Sequence, residues 1–309
     1  MIPLVTRKRA PVLALAAITC TALAAGCSSS SSSSTTSASA PASSAPATAR
    51  PTGDVFVFSA GSLDTLMTKI APAFHTATGY TLVDTSHGSG TLAADIKNKV
   101  AVADVFVSAS PSDDALLMGS ANGDWVSWYA AFATSPEVLG YYPKSKFAHD
   151  LQTMPWYKVI TMPGFRLGRT NPSQDPGGVL AVKALEETAT AQNLPALKTL
   201  ATETSDEYAE DPEEADIQTG QLDASFMYEA DANSQNSPFV KLTGTNEAGD
   251  YTITLVSHAP HMVAALAFIN YLLGPSGQAA LKADQFNVVS PPTVTGSGAP
   301  SALSSVLGS

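Results

Sequence analysis

Ser62, Ser89 and Ser110 each stand in a short polar turn between an apolar strand-like run and an apolar helix-like one. The first turn, Ser59-Ala60-Gly61-Ser62, follows Val55-Phe56-Val57-Phe58 and precedes Leu63, Leu66, Met67, Ile70 and Phe74 at helical spacing. The second, His87-Gly88-Ser89-Gly90, follows Tyr80-Thr81-Leu82-Val83 and precedes Leu92 and Ile96; the third, Ser108-Ala109-Ser110-Pro111, follows Val105-Phe106-Val107. Such turns gather unpaired backbone N–H groups at the positive end of a helix dipole, so a tetrahedral anion can be held there without a cationic side chain. In an open α/β sheet the turns after the strands share one crevice, where ligands bind. Each serine taken alone is equally an ordinary helix N-cap; their recurrence is what points to anion binding.

The elements that must position these turns follow from the pattern. From Asp54 to Gly140 strands and helices alternate as in a parallel sheet with crossover helices. Val138-Leu139-Gly140-Tyr141-Tyr142 reads as a strand broken by Pro143, a crossing between lobes. Val179, Val182 and Leu185 mark a helix after Asp175-Pro176, and Asp206 to Glu214 reads as a solvated acidic loop or helix start. Met227-Tyr228-Glu229 reads as the end of a short strand and a turn, and Phe239 to Leu242 and Tyr251 to Leu255 as further strands. Met262 to Leu273 is too short to span a bilayer and reads as a core helix stopped by Gly274-Pro275. Gly277 to Phe286 reads as a short helix, and Ser290 to Ser309 as a polar tail.

The N-terminus carries Arg7-Lys8-Arg9, then an apolar run from Pro11 to Leu23 that ends in small residues, the pattern of a secretory signal. Leu23-Ala24-Ala25-Gly26-Cys27 resembles a bacterial lipobox, which implies a signal peptide over residues 1–26 and a lipid on Cys27; plain secretion with cleavage near Ala25 is the alternative. Cys20 and Cys27 are the two cysteines of the chain, so the region beyond them has no thiol chemistry. Residues 27–52 are almost wholly Ser, Thr, Ala and Pro and read as a disordered tether. The 257 residues from Gly53 onward suffice for one large α/β domain or two lobes. Without Arg7, Lys8 and Arg9 the chain has 13 basic residues against 27 acidic ones. That balance argues against a nucleic-acid partner and against global steering of an anion, so anion affinity must come from local dipoles.

From Asp54 to about Asn287 the chain resembles the type II periplasmic solute-binding proteins, in particular the molybdate and tungstate branch that serves ABC importers. The resemblance is carried by Phe58-Ser59-Ala60-Gly61-Ser62-Leu63, His87-Gly88-Ser89-Gly90, Ala103-Asp104-Val105, Gly168-Arg169-Thr170-Asn171-Pro172 with Asp175-Pro176, Gly220-Gln221-Leu222-Asp223, and Phe268-Ile269-Asn270-Tyr271-Leu272-Leu273-Gly274-Pro275-Ser276-Gly277-Gln278. It implies a two-lobed α/β fold with a hinge and an interlobe ligand cleft, lobe I formed by residues 53–141 and 245–309 and lobe II by 142–244. It also implies a monomer without cofactor or enzymatic turnover, anchored outside the cytoplasm, that hands its anion to an ABC permease.

Carried over by resemblance, Gly61, Ser62 and Ser89 donate hydrogen bonds to oxyanion oxygens, and Asp175 supplies a carboxylate that reaches the metal centre of molybdate or tungstate. A carboxylate beside a dianion is repulsive unless it coordinates that centre, which sulfate and phosphate do not offer. Asp175 also suits a plain N-cap before Pro176. The tungstate-specialised members place a glutamate directly before a tyrosine, whereas here Met227 precedes Tyr228 and Glu229 follows it. Glu229 is therefore either a second carboxylate in a shifted register or a charge on an exposed turn, and Tyr228 either a hydroxyl ligand or a core aromatic. That departure keeps sulfate, phosphate or a small organic anion open as the cargo. A surface hydrolase using His87 or His261 is the reading from another class. The histidines at 75, 87, 149, 258 and 261 come with no Gly-x-Ser-x-Gly elbow, and no phosphate-binding loop or dinucleotide fingerprint occurs.

Overall fold

A computed structural model describes residues 53–308. The signal-like segment, Cys27 and the Ser-rich stretch lie outside the described residues. Val55-Phe56-Val57-Phe58 forms the middle of strand β1 (Gly53–Ala60). It is apolar on both faces because helices cover both sides of a parallel sheet. β1 pairs in parallel with β2 (Tyr80–His87) on one side and β3 (Val105–Ser108) on the other. The helix Asp64–Thr78 connects β1 to β2, buries Leu66, Met67, Ile70 and Phe74, and stops at Gly79, whose positive φ lets its N–H reach the His75 carbonyl.

β4 (Trp128–Tyr141) is twice the length of most strands and serves two halves of the sheet. β5 (Leu167–Thr170), β6 (Glu207–Tyr208), β7 (Ala224–Tyr228) and β8 (Phe239–Lys241) follow it, then β9 (Ala248–Leu255) and β10 (Asn287–Gly296). The strand order is β2-β1-β3-β9-β4-β7-β5-β6, with β8 and β10 also paired to β4. Up to Pro136, β4 pairs with β9; from Glu137 it pairs with β7. The crossing therefore lies inside one continuous strand, and residues 137–141 already belong to the second half.

Each half has its own core. Phe74, Phe268, Trp128, Tyr251 and Ile253 are packed on one side of β1, β3 and β9, and Phe58, Leu92 and Phe106 on the other. Leu139, Trp156, Leu185 and Phe226 form the core of the second half, where the helix Pro176–Ala191 lies against β5 and β7. Met262–Leu273 is the expected core helix, and Pro275–Ala283 follows it.

The polar tail expected from Ser290 is instead structured. β10 pairs antiparallel with β4, and Leu303 and Leu307 are buried in the first core. Ser290-Pro291-Pro292 hides this strand from a pattern reading; prolines are tolerated because β10 is bulged between Val288 and Thr293.

Candidate functional site

The parallel register sets the three turns side by side. Ala60 is level with His87 and Ser59 with Val107, so Gly61-Ser62, Gly88-Ser89 and Ala109-Ser110 emerge at one carboxyl edge. Of the three serines, Ser110 alone is an N-cap by side chain, its Oγ accepting from the Ser112 N–H at 3.3 Å. Ser62 lies within a single 3₁₀ turn, Gly61–Leu63, and Ser89 is the first residue of the helix Ser89–Lys97. The wholly buried Ser89 Oγ accepts from the Ala109 N–H at 3.1 Å, tying the second turn to the third. The Ser62 Oγ accepts from the Tyr251 hydroxyl at 2.9 Å. First-turn N–H groups have no partner inside their own helix, so both turns present donors at the sheet edge.

The second half meets this edge through the loop between β5 and the helix Pro176–Ala191. The Thr91 N–H donates to the Gln174 carbonyl at 3.2 Å. Gly88 and Gly90 make that approach possible: a Cβ on Gly88 would stand 2.6 Å from the Gln174 oxygen, and one on Gly90 2.9 Å. On one side of this contact lies a cavity of about 310 Å³ lined by His87, Thr91, Thr170 and Tyr208. On the other lies one of about 410 Å³ lined by Ser110, Asp113, Pro172, Val179 and Asp250. A third, of about 20 Å³, lies among Thr170, Gly177, Glu213, Tyr228 and Asp231.

Asp175 lines all three cavities, and among the described residues no lysine or arginine lines any of them. It occupies the N-cap position but makes no capping bond; its Oδ2 instead accepts from the Thr170 hydroxyl at 2.5 Å. Burial raises its pKa above the ordinary carboxylate range, against the Thr170 hydroxyl and the nearby Gly177 and Gly178 amides, which pull it down.

Tyr228 is buried over the start of that helix, and its hydroxyl has no partner. Burial, then the Asp175 charge, holds this phenol protonated as a donor. Glu229 is not gathered with them: it begins the helix Glu229–Ser234, and its Oε2 lies 3.8 Å from Lys241 Nζ. The strand ends at Tyr228, and where a turn is expected a helix starts at Glu229.

Three acids that the motifs do not single out join the site: Glu213 and Asp231, which line the third cavity with Asp175, and Glu137. Asp231 comes in from the first turn of the Glu229–Ser234 helix. Glu137 faces Tyr228 in the β4–β7 register, so the two share a face of the sheet. It is buried with neither carboxylate oxygen hydrogen-bonded, and burial followed by the Asp175 charge raises its pKa well above the usual range. A charged residue in the run Pro136-Glu137-Val138-Leu139 was the available signal, lost when the strand is begun at Val138. The two histidines of the hydrolase reading lie apart: His87 lines the first cavity, whereas His261 Nδ1 lies 3.0 Å from the buried Asp104 Oδ2, at the other end of β3.

Buried acids around the turns make stability fall as pH rises. Burial raises the pKa of Asp113 to about 6, Asp84 to about 7 and Asp114 to about 8. Unfolded, these groups release their protons near pH 4. The stability held in their neutral forms is complete below about pH 4 and lost by about pH 8. Asp114→Asn, which keeps the bond from the Thr252 hydroxyl, is expected to flatten that decline. Urea unfolding midpoints at pH 5 and pH 8 measure it, and an equal decline in both proteins rejects the assignment.

Residues 55–287 match the family model of the bacterial extracellular solute-binding proteins. The chain belongs to that family. Among relatives of this solute-binding protein, the molybdate/tungstate-binding protein WtpA of Pyrococcus abyssi is 22% identical over 307 residues, covering 81% of this chain and 88% of its own. A putative ABC transporter molybdenum-binding protein of Haloferax volcanii is 27% identical over 225 residues, covering 72% and 67%. The solved structure of the periplasmic molybdate-binding protein of Azotobacter vinelandii superposes with a TM-score of 0.60 at 20% identity, covering 75% of this chain and 98% of that one. The fold is therefore the two-lobed type II periplasmic binding fold.

Proposed function

We propose that this solute-binding protein captures molybdate or tungstate between its lobes and delivers it to an ABC permease, held at the outer face of the membrane as a monomer by a lipid on Cys27. In this reading lobe I comprises the sheet around β1 to β3 and β9, lobe II the sheet around β5 to β7, and the hinge the β4 crossing together with residues 242–247. Ser62 and Ser89 with their turn amides, Gly61 included, donate from lobe I, and Tyr228 donates from lobe II. The observation that carries the proposal is Asp175, a buried carboxylate shared by three adjoining cavities whose described lining residues include no lysine or arginine. A desolvated carboxylate repels sulfate, which has no proton to donate to it, but it can donate an electron pair to the open coordination sphere of molybdenum or tungsten in the cargo. Lobe closure removes water and brings both sets of groups to the ion, so affinity follows the closed state.

Loss of the second carboxylate at Met227 supports an alternative cargo, sulfate or another small anion, bound by the neutral donors alone. Thermal unfolding in the presence of molybdate, tungstate, sulfate and phosphate separates the two readings. A cargo at 100 times its Kd adds about 2.7 kcal/mol. Molybdate and tungstate are expected to raise Tm and sulfate to leave it nearly unchanged; a rise with sulfate alone rejects the proposal. Ser62→Ala is expected to reduce the shift for every anion that gives one.

A further inference from the structure

Tyr251 is wholly buried on β9, with its ring edge-on to two others, Tyr228 at 5.7 Å and Phe286 at 5.0 Å. Gly249, two residues earlier, leaves the space: a Cβ there would lie 2.7 Å from the Tyr228 ring and 3.2 Å from that of Tyr251. The Tyr251 ring is thus held between these two rings, and its hydroxyl donates to Ser62 Oγ at 2.9 Å across 189 residues of sequence. A hydroxyl carries one proton and two lone pairs. With one lone pair of Ser62 occupied by the phenol proton, the serine's own proton cannot turn toward Tyr251. It is left free to serve an acceptor at the carboxyl edge of the sheet, beside the first-turn N–H groups of Gly61–Leu63.

We propose that Tyr251 is a positioning residue for anion capture: by donating to Ser62 Oγ it fixes the Ser62 hydroxyl as a donor into the cleft. Its ring contact with Tyr228 also sets the lobe II phenol against the same strand, so one side chain aligns a donor from each wall. This rests on the reading of Ser62 as an anion ligand, and it is independent of which oxyanion is the cargo.

Isothermal titration of wild type, Ser62→Ala, Tyr251→Phe and the double variant with molybdate, tungstate and sulfate tests it. Tyr251→Phe keeps the ring and is expected to weaken binding roughly three- to tenfold, the range for one lost hydrogen bond. The double variant is expected to bind as Ser62→Ala does, within about twofold, because a positioning residue has nothing left to position. Losses that multiply in the double variant, or wild-type affinity in Tyr251→Phe, overturn the proposal. Should Tyr251→Phe fold poorly, 3-fluorotyrosine at position 251 serves instead. As a stronger donor of nearly the same shape it is expected to tighten binding when Ser62 is present and to change nothing in Ser62→Ala; equal effects in both overturn the proposal. Wild type that binds sulfate but neither metal oxyanion removes the cargo reading alone, and the cycle is then decided on sulfate. Binding of none of the three anions overturns both.

Discussion

Gly88→Val is expected to bind molybdate on the order of 10- to 100-fold more weakly than wild type while unfolding at nearly the same temperature. In the closed cleft even a methyl at position 88 would sit 2.6 Å from the backbone oxygen of Gln174, and the neighbouring Asp175 Cβ is 3.1 Å from the same point. Neither obstacle is the far end of a flexible side chain, so the lobes must separate. Overpacking at such a contact costs about 1–3 kcal/mol, and it falls on the closed state alone. Apparent affinity drops by the fraction of molecules still able to close. Gly90→Ala, with 2.9 Å to the same oxygen, is expected to show a smaller loss. Calorimetry gives the affinities, and small-angle scattering with saturating molybdate reports whether the variant stays open. Full affinity in Gly88→Val would mean that cargo is bound without the contact between Gln174 and the 88–90 turn.

Asp175→Asn is expected to shift the preference between molybdate and sulfate by on the order of tenfold or more in favour of sulfate. Two effects add. The amide is a poorer donor to a metal centre, which weakens molybdate and tungstate. It is also uncharged, which removes the repulsion felt by sulfate in a desolvated cleft. The fold should tolerate the change, because an amide oxygen can still accept from the Thr170 hydroxyl and face the Gly177 and Gly178 amides. Competition calorimetry with the two anions reads the ratio directly. An unchanged ratio assigns Asp175 to the local structure of the loop and rejects its role in selection.

Much of this site was legible because its chemistry is local. The turns after β1, β2 and β3 are punctuated by small residues between apolar runs, and the parallel register aligns them without further information. What sequence periodicity missed depends on contacts between distant segments. Glu137 is hidden as a site residue until the full length of β4 is known, since its meaning comes from Tyr228 opposite. Asp231 reaches the cleft because a helix, not a continued strand, starts at Glu229. Ser62 and Ser89 were ambiguous between cap and ligand for the same reason. Their Oγ atoms are engaged by Tyr251 and by the Ala109 N–H, partners no local pattern names. β10 escaped because its prolines contradict strand propensity, and only its pairing to β4 reveals it.

The passage of β4 from one lobe to the other without a break governs how the cleft can move. At the crossing, the Glu137 N–H donates to the Glu247 carbonyl at 2.8 Å and Pro136 is level with Ala248, so the two connections form a hydrogen-bonded ribbon. Sliding one connection past the other would break these bonds, whereas bending the pair together keeps them. In the proposed capture cycle this ribbon is the part that bends, and the contact of Gln174 with the turn at Gly88 and Gly90 is what each closure has to rebuild.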